Sequence, residues 1–308
     1  MISYVVPVFN EEESILHFYE ELLKHAKILS KEYEIIFIDD GSFDKTLSLV
    51  QNLEKKDSNI SVHSFRRNHG KAEALTFGFQ KAKGDLIVTM DADLQDKPSE
   101  VHKLIEKHKE GFDMVSGWRK ERKDSFAKII FSKVFNLVAS TFWGVKLHDY
   151  NCGLKLYVSE AAKSVNLYGG MHRFIPLLVA QEGFRVSEVP VVHDERRWGK
   201  SKYGALKVLT QMPDMMTMVF LSKYSKRPLH FFGFFGGLLV FLGLVILIYL
   251  SIIHFQGESI GRRPLLFLGM LLIISGLQAG FTGLIADLVL NINSKNENES
   301  KILLKYSS

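Results

Sequence analysis

Two carboxylates and an amide stand at alternate positions directly after one apolar run of the chain. Asp91, Asp93 and Gln95 follow Asp85–Met90, which has the length and apolar character of a buried strand. Carboxylate and amide oxygens are ligands that suit Mg²⁺ and Mn²⁺. The pattern indicates a divalent-metal site, with a solvated acidic loop as the alternative.

Polar residues also follow two earlier apolar runs, Ile2–Val6 and Glu34–Ile38. The first run leads into Pro7-Val8-Phe9-Asn10-Glu11-Glu12 and the second into Asp39-Asp40-Gly41-Ser42. Asp39 and Asp40 suit hydrogen bonding to a base or to ribose hydroxyls. Alternatively, Asp40 or Ser42 caps the next helix. No G-x-G-x-x-G follows the first run, which argues against a nicotinamide-dependent oxidoreductase.

Short β-rich runs alternate with amphipathic segments through the first half of the chain, which predicts an α/β fold with a mostly parallel sheet. Such sheets bind ligands at the carboxyl ends of their strands, where the polar residues above are found. The predicted strands are Ile2–Val6, Glu34–Ile38, Ile60–Phe65, Asp85–Met90 and Asp113–Gly117, and the predicted helices are Ser14–Leu29, Asp44–Leu53, Lys71–Ala82 and Pro98–His108.

Two almost uncharged stretches, Leu229–Ile253 and Leu265–Leu290, have the roughly 20-residue length of membrane spans. Buried core helices are the alternative, but core helices rarely run so long without a polar face. The spacing of Gly233 with Gly237, and of Gly276 with Gly280, predicts close approach of the two spans; simple packing is the other interpretation. Between them and the α/β region, Tyr203–Tyr224 reads as an amphipathic interfacial segment or as an ordinary packing helix.

Basic residues flank the two spans and favour cytoplasmic termini. Arg262 and Arg263 in the intervening loop favour the opposite orientation, but the basic residues of the flanks are more numerous. These are Lys223, Lys226, Arg227, Lys295, Lys301 and Lys305. No secretion signal is expected at the N-terminus, and the single Cys152 cannot form an internal disulfide. The formal charge of +5 comes without a basic stripe interleaved with aromatics, so a membrane surface suits the chain and nucleic acid does not.

Taken together, the strand-end motifs resemble those of family 2 glycosyltransferases of the GT-A fold. The resemblance is narrower to the branch of dolichyl-phosphate and polyprenyl-phosphate glycosyltransferases, several of which carry two C-terminal spans. It rests on Val6–Glu12, Ile38–Ser42 and Asp91–Pro98, in that order and at that spacing. It implies nucleotide contacts at Pro7, Asn10, Glu11, Asp39 and Asp40, and a metal and diphosphate site at Asp91, Asp93 and Gln95.

Downstream motifs extend the resemblance to the acceptor side. Ser116–Arg119 is similar to the family's G-S-R segment, which makes Arg119 a candidate ligand of the acceptor phosphate, with Arg122 and Lys133 as further candidates. The family often has arginine where Lys133 stands. Asp149–Lys155 resembles the D-x-x-x-G-F/L-K segment, which makes Asp149 a candidate base or, because a phosphate acceptor is already nucleophilic, an orienting residue.

Arg196–Tyr203 resembles the family's R-x-x-G-x-S-K-Y loop. Arg196 and Lys202 are then expected to close over the diphosphate and to share in catalysis with Asp93. The alternative for this basic segment is contact with anionic lipid headgroups.

The expected protein is a metal-dependent, inverting glycosyltransferase at the cytoplasmic membrane face, which moves a sugar from a UDP- or GDP-sugar to a polyprenyl phosphate. The expected organisation is a catalytic domain at 1–202, interfacial helices at 203–228, two transmembrane helices at 229–290 and a polar, frayed cytoplasmic tail at 291–308. A homodimer or homotetramer is also expected. The alternatives are a subunit of a polysaccharide synthase, although Arg197-Trp198 lacks the Q-x-x-R-W context, and a non-catalytic scaffold that binds nucleotide sugar.

Overall fold

The computed structural model describes residues 1–120, 145–194, 228–260 and 264–305. The chain divides into two compact units, Met1–Met218 and Val219–Ser308. The interfacial segment expected at Tyr203–Tyr224 lies outside the described residues.

A single mixed sheet forms the centre of the first unit. Within the described residues it has seven strands in the order β3-β2-β1-β4-β6-β5-β7. All run in one direction except β6, which is antiparallel to both of its neighbours, β4 and β5. The strands are β1 (Ile2–Val8), β2 (Tyr33–Asp39), β3 (Ile60–Ser64), β4 (Leu86–Thr89), β5 (Met114–Arg119), β6 (Lys155–Val158) and β7 (Val186–Val191).

Helices connect these strands and cover the sheet. They are α1 (Ile15–Leu29), α2 (Thr46–Glu54), α3 (Lys71–Lys81), α4 (Val101–Lys109), α5 (Ser159–Ser164) and α6 (Ile175–Gln181), with short 3₁₀ turns at Pro98–Glu100 and Met171–Arg173. On α1 the buried residues Ile15, Phe18, Leu22 and Ala26 recur every three or four positions. That spacing places them on one helical face, where each large side chain contributes about 1.5–3 kcal/mol by leaving water.

Close packing of α3 on the sheet depends on Gly78. A Cβ added at Gly78 would overlap the Val5 side chain of β1 and would lie 3.5 Å from Ile38 Cγ1 of β2. The absent side chain therefore lets the α3 backbone approach the sheet closely.

The expectation of a mostly parallel α/β sheet is confirmed. The predicted strands and helices are present, and their ends differ from the predicted ones by at most three residues. The short reversed strand β6, the strand β7 and the helices α5 and α6 are not among the elements predicted. Strand β6 has only four residues, which are too few to show a periodic pattern. Strand β7 is half-buried on both faces, so its sequence does not alternate between apolar and polar residues in a recognisable way.

Two long apolar helices, α7 (Pro228–Phe255) and α8 (Pro264–Lys305), form the described part of the second unit. Pro228–Phe255 and Pro264–Leu290 are long and apolar enough to cross a membrane. The α8 backbone is helical to Lys305, beyond residue 291 where the polar tail is expected to begin.

Glycines make the α7–α8 contact, but several of them are not the predicted ones. A Cβ would meet nothing within 4 Å at Gly233 or Gly237, so close approach at these two positions is wrong. A Cβ at Gly280 would also meet nothing, but the Gly280 backbone nitrogen would lie 3.2 Å from a Cβ at Gly236, so the backbone of Gly280 does approach α7. Gly276 does lie in the contact, because its Cβ would stand 2.5 Å from the carbonyl oxygen of Gly236. The glycines in contact repeat every seventh residue, at Gly236 and Gly243 on α7 and at Gly269, Gly276 and Gly283 on α8. A seven-residue repeat keeps one helical face towards its partner.

Candidate active site

The candidate site lies at the carboxyl edge of the parallel strands. Asp39 ends β2, and Asp91 follows β4 by two residues. Because β6 runs in reverse, its first residue Lys155 and the preceding Gly153 reach this same edge. The Thr89 hydroxyl at the end of β4 donates to the Gly153 carbonyl at 3.0 Å, which ties the two segments together.

Asp91 is ion-paired with Lys71, the first residue of α3. Both side chains are partly accessible, at 37% for Asp91 and 32% for Lys71. Burial alone would raise the pKa of Asp91, but the Lys71 ammonium overcomes this effect, assisted by Lys155, and holds the pKa below its ordinary value. The carboxylate therefore stays ionised and able to bind a cation.

Gly153 leaves space for two carboxylates. A Cβ added there would lie 2.6 Å from Asp96 Oδ2 and 2.8 Å from Asp91 Oδ2, so both oxygens point to the same small region. Asp96 is buried, and its Oδ1 lies 3.2 Å from His193 Nδ1. No side chain larger than a hydrogen atom fits at position 153 without moving the Asp91 carboxylate.

The chain turns between Asp91 and Gln95. β4 ends at Thr89, and Leu94 adopts a left-handed backbone conformation with φ 62°. The backbone N–H of Gln95 donates to Asp93 Oδ1 at 3.2 Å, and the Gln95 amide donates to the Asp194 carbonyl at 3.3 Å. Two carboxylates are thus carried on a tight loop, and the amide is held by the segment that follows β7.

This donor set fits a divalent ion that also binds phosphate. Asp91 already holds a cation, the Lys71 ammonium, and is ionised. Within the described ranges no three His, Cys, Asp or Glu side chains cluster closely enough to enclose a metal. Two carboxylates leave several coordination positions for phosphate oxygens and water, as is usual for Mg²⁺ beside a phosphate substrate.

Asp40 fixes the loop before α3. Its two oxygens accept hydrogen bonds from the backbone N–H groups of His69 at 2.7 Å and Gly70 at 2.9 Å. Burial raises the pKa of Asp40, an effect that these two bonds offset in part. Gly70 has φ 102°, a conformation that suits glycine. Asp40 therefore acts on the start of α3 rather than on α2, and it positions the neighbouring Lys71.

Asp39 is completely buried, and its carboxylate is held by neighbouring hydroxyl and amide groups. Ser64 Oγ donates to it at 2.7 Å, and the backbone N–H of Ser42 lies 3.3 Å away. The carboxylate joins the ends of β2 and β3, below the surface that a nucleotide would contact.

The loop after β1 is fastened to the loop after β2. Asn10 has φ 53°; its N–H donates to Ser42 Oγ at 3.0 Å, and its side-chain oxygen accepts from the Phe43 N–H at 2.9 Å. The Glu11 N–H donates to Thr46 Oγ1 at 2.8 Å. Pro7 pairs with Ile38 in the sheet register and is half-buried. These contacts give the predicted donor-side residues one common rigid support.

Arg119 and Asp149 form a buried two-pronged ion pair. Arg119 Nε donates to Asp149 Oδ2 at 2.6 Å, and Nη2 donates to Oδ1 at 3.0 Å. Their side chains are only 11% and 8% accessible. Burial would lower the pKa of Arg119, but the bonds to Asp149 raise it well above its ordinary value. The geometry matches an orienting role for Asp149, because both of its oxygens already hold Arg119.

A small polar pocket adjoins Asp91. Lys71, Asn151, Gly153, Lys155 and His172 are among its lining residues. Burial lowers the pKa of Lys155 to about 8 and that of His172 to about 3. Lys155 is 4% exposed and donates to the Cys152 carbonyl, while His172 Nδ1 has no hydrogen-bond partner among the described residues.

Lys71, Lys155 and His172 are the residues that sequence reasoning missed. One signal was available for Lys71, because a lysine in the first turn of a helix opposes the helix dipole and needs a local reason. Lys155 is the last residue of the Asp149–Lys155 motif, but that motif gave it no role, and His172 lies in a distant segment without a motif. The other predicted site residues, Arg122, Lys133, Arg196 and Lys202, lie outside the described residues.

Comparison with known proteins gives consistent results. The family described as "Glycosyl transferase family 2" matches residues 3–165. The dodecaprenyl-phosphate galacturonate synthase of Rhizobium johnstonii is 38% identical over 94% of this chain and 87% of its own length. An undecaprenyl-phosphate 4-deoxy-4-formamido-L-arabinose transferase of Proteus mirabilis is 33% identical over 82% of this chain and 76% of its own.

A solved structure shares the fold. The glucosyl-3-phosphoglycerate synthase of Mycobacterium tuberculosis, in complex with Mn²⁺ and uridine-diphosphate-glucose, is similar with a TM-score of 0.52 and 22% identity, over 72% of this chain and 78% of its own. The expected resemblance, both to the family and to its polyprenyl-phosphate branch, is confirmed. Since the family description covers more than half of the sequence and these relatives most of it, the chain belongs to glycosyltransferase family 2.

Proposed function

We propose that this protein transfers a sugar from a nucleotide-sugar donor to a polyprenyl phosphate, with inversion at the anomeric carbon and with Mg²⁺ or Mn²⁺ as cofactor. The observation that carries the proposal is the ionised Asp91 on a tight loop with Asp93, at the sheet edge where a family 2 glycosyltransferase has its strand-end motifs. Relatives that act on dodecaprenyl and undecaprenyl phosphate support the lipid acceptor.

The donor side is a shared platform formed by the loops after β1 and β2. Asn10 and Glu11 hold these loops together, and the buried Asp39 supports the loop after β2 from beneath through the Ser42 N–H. Asp40 contributes indirectly, because its carboxylate is used by the loop before α3. When bound at Asp91, Asp93 and Gln95, a divalent ion stabilises the negative charge that develops on the departing diphosphate.

The acceptor side is organised by Arg119. Asp149 holds one edge of the guanidinium, which leaves the remaining N–H groups of this planar fork for a phosphate. A phosphate monoester has a second pKa near 6 and is already nucleophilic at neutral pH, so no strong base is needed. Arg122, Lys133, Arg196 and Lys202 remain proposed phosphate ligands from the family resemblance.

The two apolar helices suit a membrane-anchored enzyme with a lipid acceptor. Anchoring raises the effective concentration of the acceptor by confining both partners to one surface. The cytoplasmic placement of the first unit and both termini, and assembly into dimers or tetramers, remain predictions.

The direct test is to incubate the full-length protein in detergent micelles with polyprenyl phosphate, Mn²⁺ or Mg²⁺, and a panel of radiolabelled UDP- and GDP-sugars. We expect one donor to yield a lipid-soluble label. A polymer or unreacted bound donor would instead indicate a polysaccharide synthase or a scaffold.

Asp93→Ala tests the metal part of the proposal. We expect lipid-soluble label to fall by at least about 100-fold, since the lost carboxylate weakens stabilisation of the leaving group by several kcal/mol. Glu21→Ala, an exposed change on α1, is the matched control and should retain full activity. Unchanged transfer by Asp93→Ala in chelator-treated samples would refute the catalytic metal.

A further inference from the structure

Lys71 occupies the carboxylate that the proposed metal needs. Its ammonium pairs with Asp91 Oδ1, and its side chain lines the pocket beside Asp91. A divalent ion bound at Asp91 would meet the Lys71 ammonium at close range. Like charges at that distance repel each other, so the two cations exclude one another from Asp91 unless an anion arrives with the metal.

The backbone that carries Lys71 is fixed, whereas its side chain is partly accessible. Asp40 holds the N–H groups of His69 and Gly70, directly before Lys71. Gly78 packs the middle of α3 against β1. The Lys71 side chain keeps 32% of its surface accessible, so its four-carbon stem has room to redirect the ammonium.

The surrounding charges favour an anion once Lys71 leaves Asp91. Lys155 lines the same pocket and acts electrostatically on Asp91. With a divalent ion at Asp91, this corner would carry the metal, Lys71 and the Lys155 ammonium. A diphosphate supplies the negative charge that such a group of cations requires.

We propose that Lys71 is a placeholder counter-ion. Its ammonium pairs with Asp91 until the metal arrives, and then turns away from Asp91 to pair with the diphosphate of the donor. The inference rests on the proposed function, because it assumes that Asp91 ligates the metal. It makes Lys71 a donor-binding residue that also couples metal and nucleotide. Metal alone binds weakly because it must displace Lys71, and metal with donor binds well because Lys71 gains a new anionic partner.

The test measures metal binding without turnover. Mn²⁺ is titrated into the full-length protein, and free Mn²⁺ is followed by electron paramagnetic resonance. We expect Lys71→Met and Lys71→Gln to bind Mn²⁺ alone about fivefold more tightly than the unmodified protein, the factor that loss of a partly exposed ion pair predicts. Lys71→Arg should leave the affinity unchanged, because arginine keeps the ion pair.

A second measurement follows the nucleotide. At saturating Mn²⁺, calorimetry with UDP and with GDP should show about tenfold weaker binding to Lys71→Met, for whichever nucleotide the unmodified protein binds, since a charge-assisted contact is lost. Lys81→Met is the matched control. Lys81 is exposed at the far end of the same helix, about 15 Å along its axis, and its loss should change neither affinity.

The outcomes separate this inference from the proposed function. A purely structural Lys71 would give weaker or unchanged Mn²⁺ binding in the Met and Gln variants, and that result overturns the placeholder role. Asp91→Asn should abolish Mn²⁺ binding; if it does not, the metal site itself is misplaced and both proposals fail. Thermal unfolding of each variant identifies any loss of affinity that follows from misfolding.

Discussion

Single residues at this site carry charges that the fold does not favour. Lys155 is 4% exposed, and its ammonium donates to a backbone carbonyl, that of Cys152. Burial lowers its pKa from 10.5 to about 8, the opposite of what a stabilising ion pair would do. The folded state therefore carries an unfavourable charge at neutral pH, a feature common at functional sites.

Replacing Lys155 by Met should reveal this unfavourable charge as a pH dependence. Between pH 8 and 10.5 the unfolded chain holds a proton that the folded chain has lost, so the free energy of unfolding of the unmodified protein rises with pH. We expect Lys155→Met to be more stable than the unmodified protein below pH 8, by about 3 kcal/mol at most. The difference should shrink as the pH approaches 10.5.

Thermal unfolding midpoints of both proteins from pH 7 to pH 10.5 provide the measurement. Lys83→Met, an exposed change on the same unit, is the control and should give a constant difference. A difference between Lys155→Met and the unmodified protein that does not vary with pH would contradict the lowered pKa.

Asp149 is expected to hold Arg119 rather than to remove a proton. Asp149→Asn keeps one acceptor oxygen for Arg119 but loses the charge. We expect KM for polyprenyl phosphate to rise while kcat falls less than tenfold, whereas loss of a general base lowers kcat by about 10²–10⁴. Steady-state kinetics with varied lipid decide between the roles, and a large fall of kcat at unchanged KM would establish Asp149 as the base.

At the scale of elements, the reversed strand β6 completes the site. It inserts between β4 and β5, and its N-terminal end brings Gly153 and Lys155 to the edge where the parallel strands end. Helix α3 supplies the opposing cation, because its start is fixed by Asp40 and its middle by Gly78. The site therefore depends on two elements whose placement follows from long-range packing.

The α7–α8 contact gives a prediction for a matched pair of glycines. Gly276→Leu places a side chain against the Gly236 backbone and should separate the helices, whereas Gly280→Leu points into open space. We expect Gly276→Leu to lower the thermal midpoint in detergent by several degrees, because overpacking costs about 1–3 kcal/mol. Gly280→Leu should leave the midpoint nearly unchanged. Equal effects of the two substitutions would contradict the seven-residue contact.

At the scale of the whole molecule, the candidate site and the apolar helices belong to two different compact units. All described candidate site residues belong to Met1–Met218, and both candidate spans belong to Val219–Ser308. The side of the membrane on which the first unit lies can be determined by labelling in intact cells.

Single-cysteine labelling should report that topology with little background. Cys152 is buried, and burial raises its pKa to about 12, so the native thiol reacts slowly. We expect Ser259→Cys, between α7 and α8, to react with an impermeant maleimide in intact cells. Lys24→Cys, exposed on α1, should react only after permeabilisation. The reverse pattern would place the first unit on the outer side.

Much of the fold and part of the candidate site could be predicted from the local pattern of residues along the sequence. The alternation of strands and helices, the two apolar helices and the carboxylates at strand ends were all predictable, because periodicity and strand-end position depend on neighbouring residues. The D-x-D motif was recognisable for the same reason, whereas the left-handed backbone of Leu94 within its loop was not predicted.

Tertiary structure decided which groups meet those carboxylates. Lys71 from the start of α3, and Gly153 and Lys155 from the start of β6, converge on Asp91. The four-residue strand β6 was too short to predict, and its reversal depends on sheet pairing that local propensity does not encode. Asp40 and Asp149 look like ligand-binding residues in sequence, yet their oxygens are held by Gly70 and Arg119. A carboxylate's partners are set by three-dimensional proximity and burial, which a one-dimensional pattern does not contain.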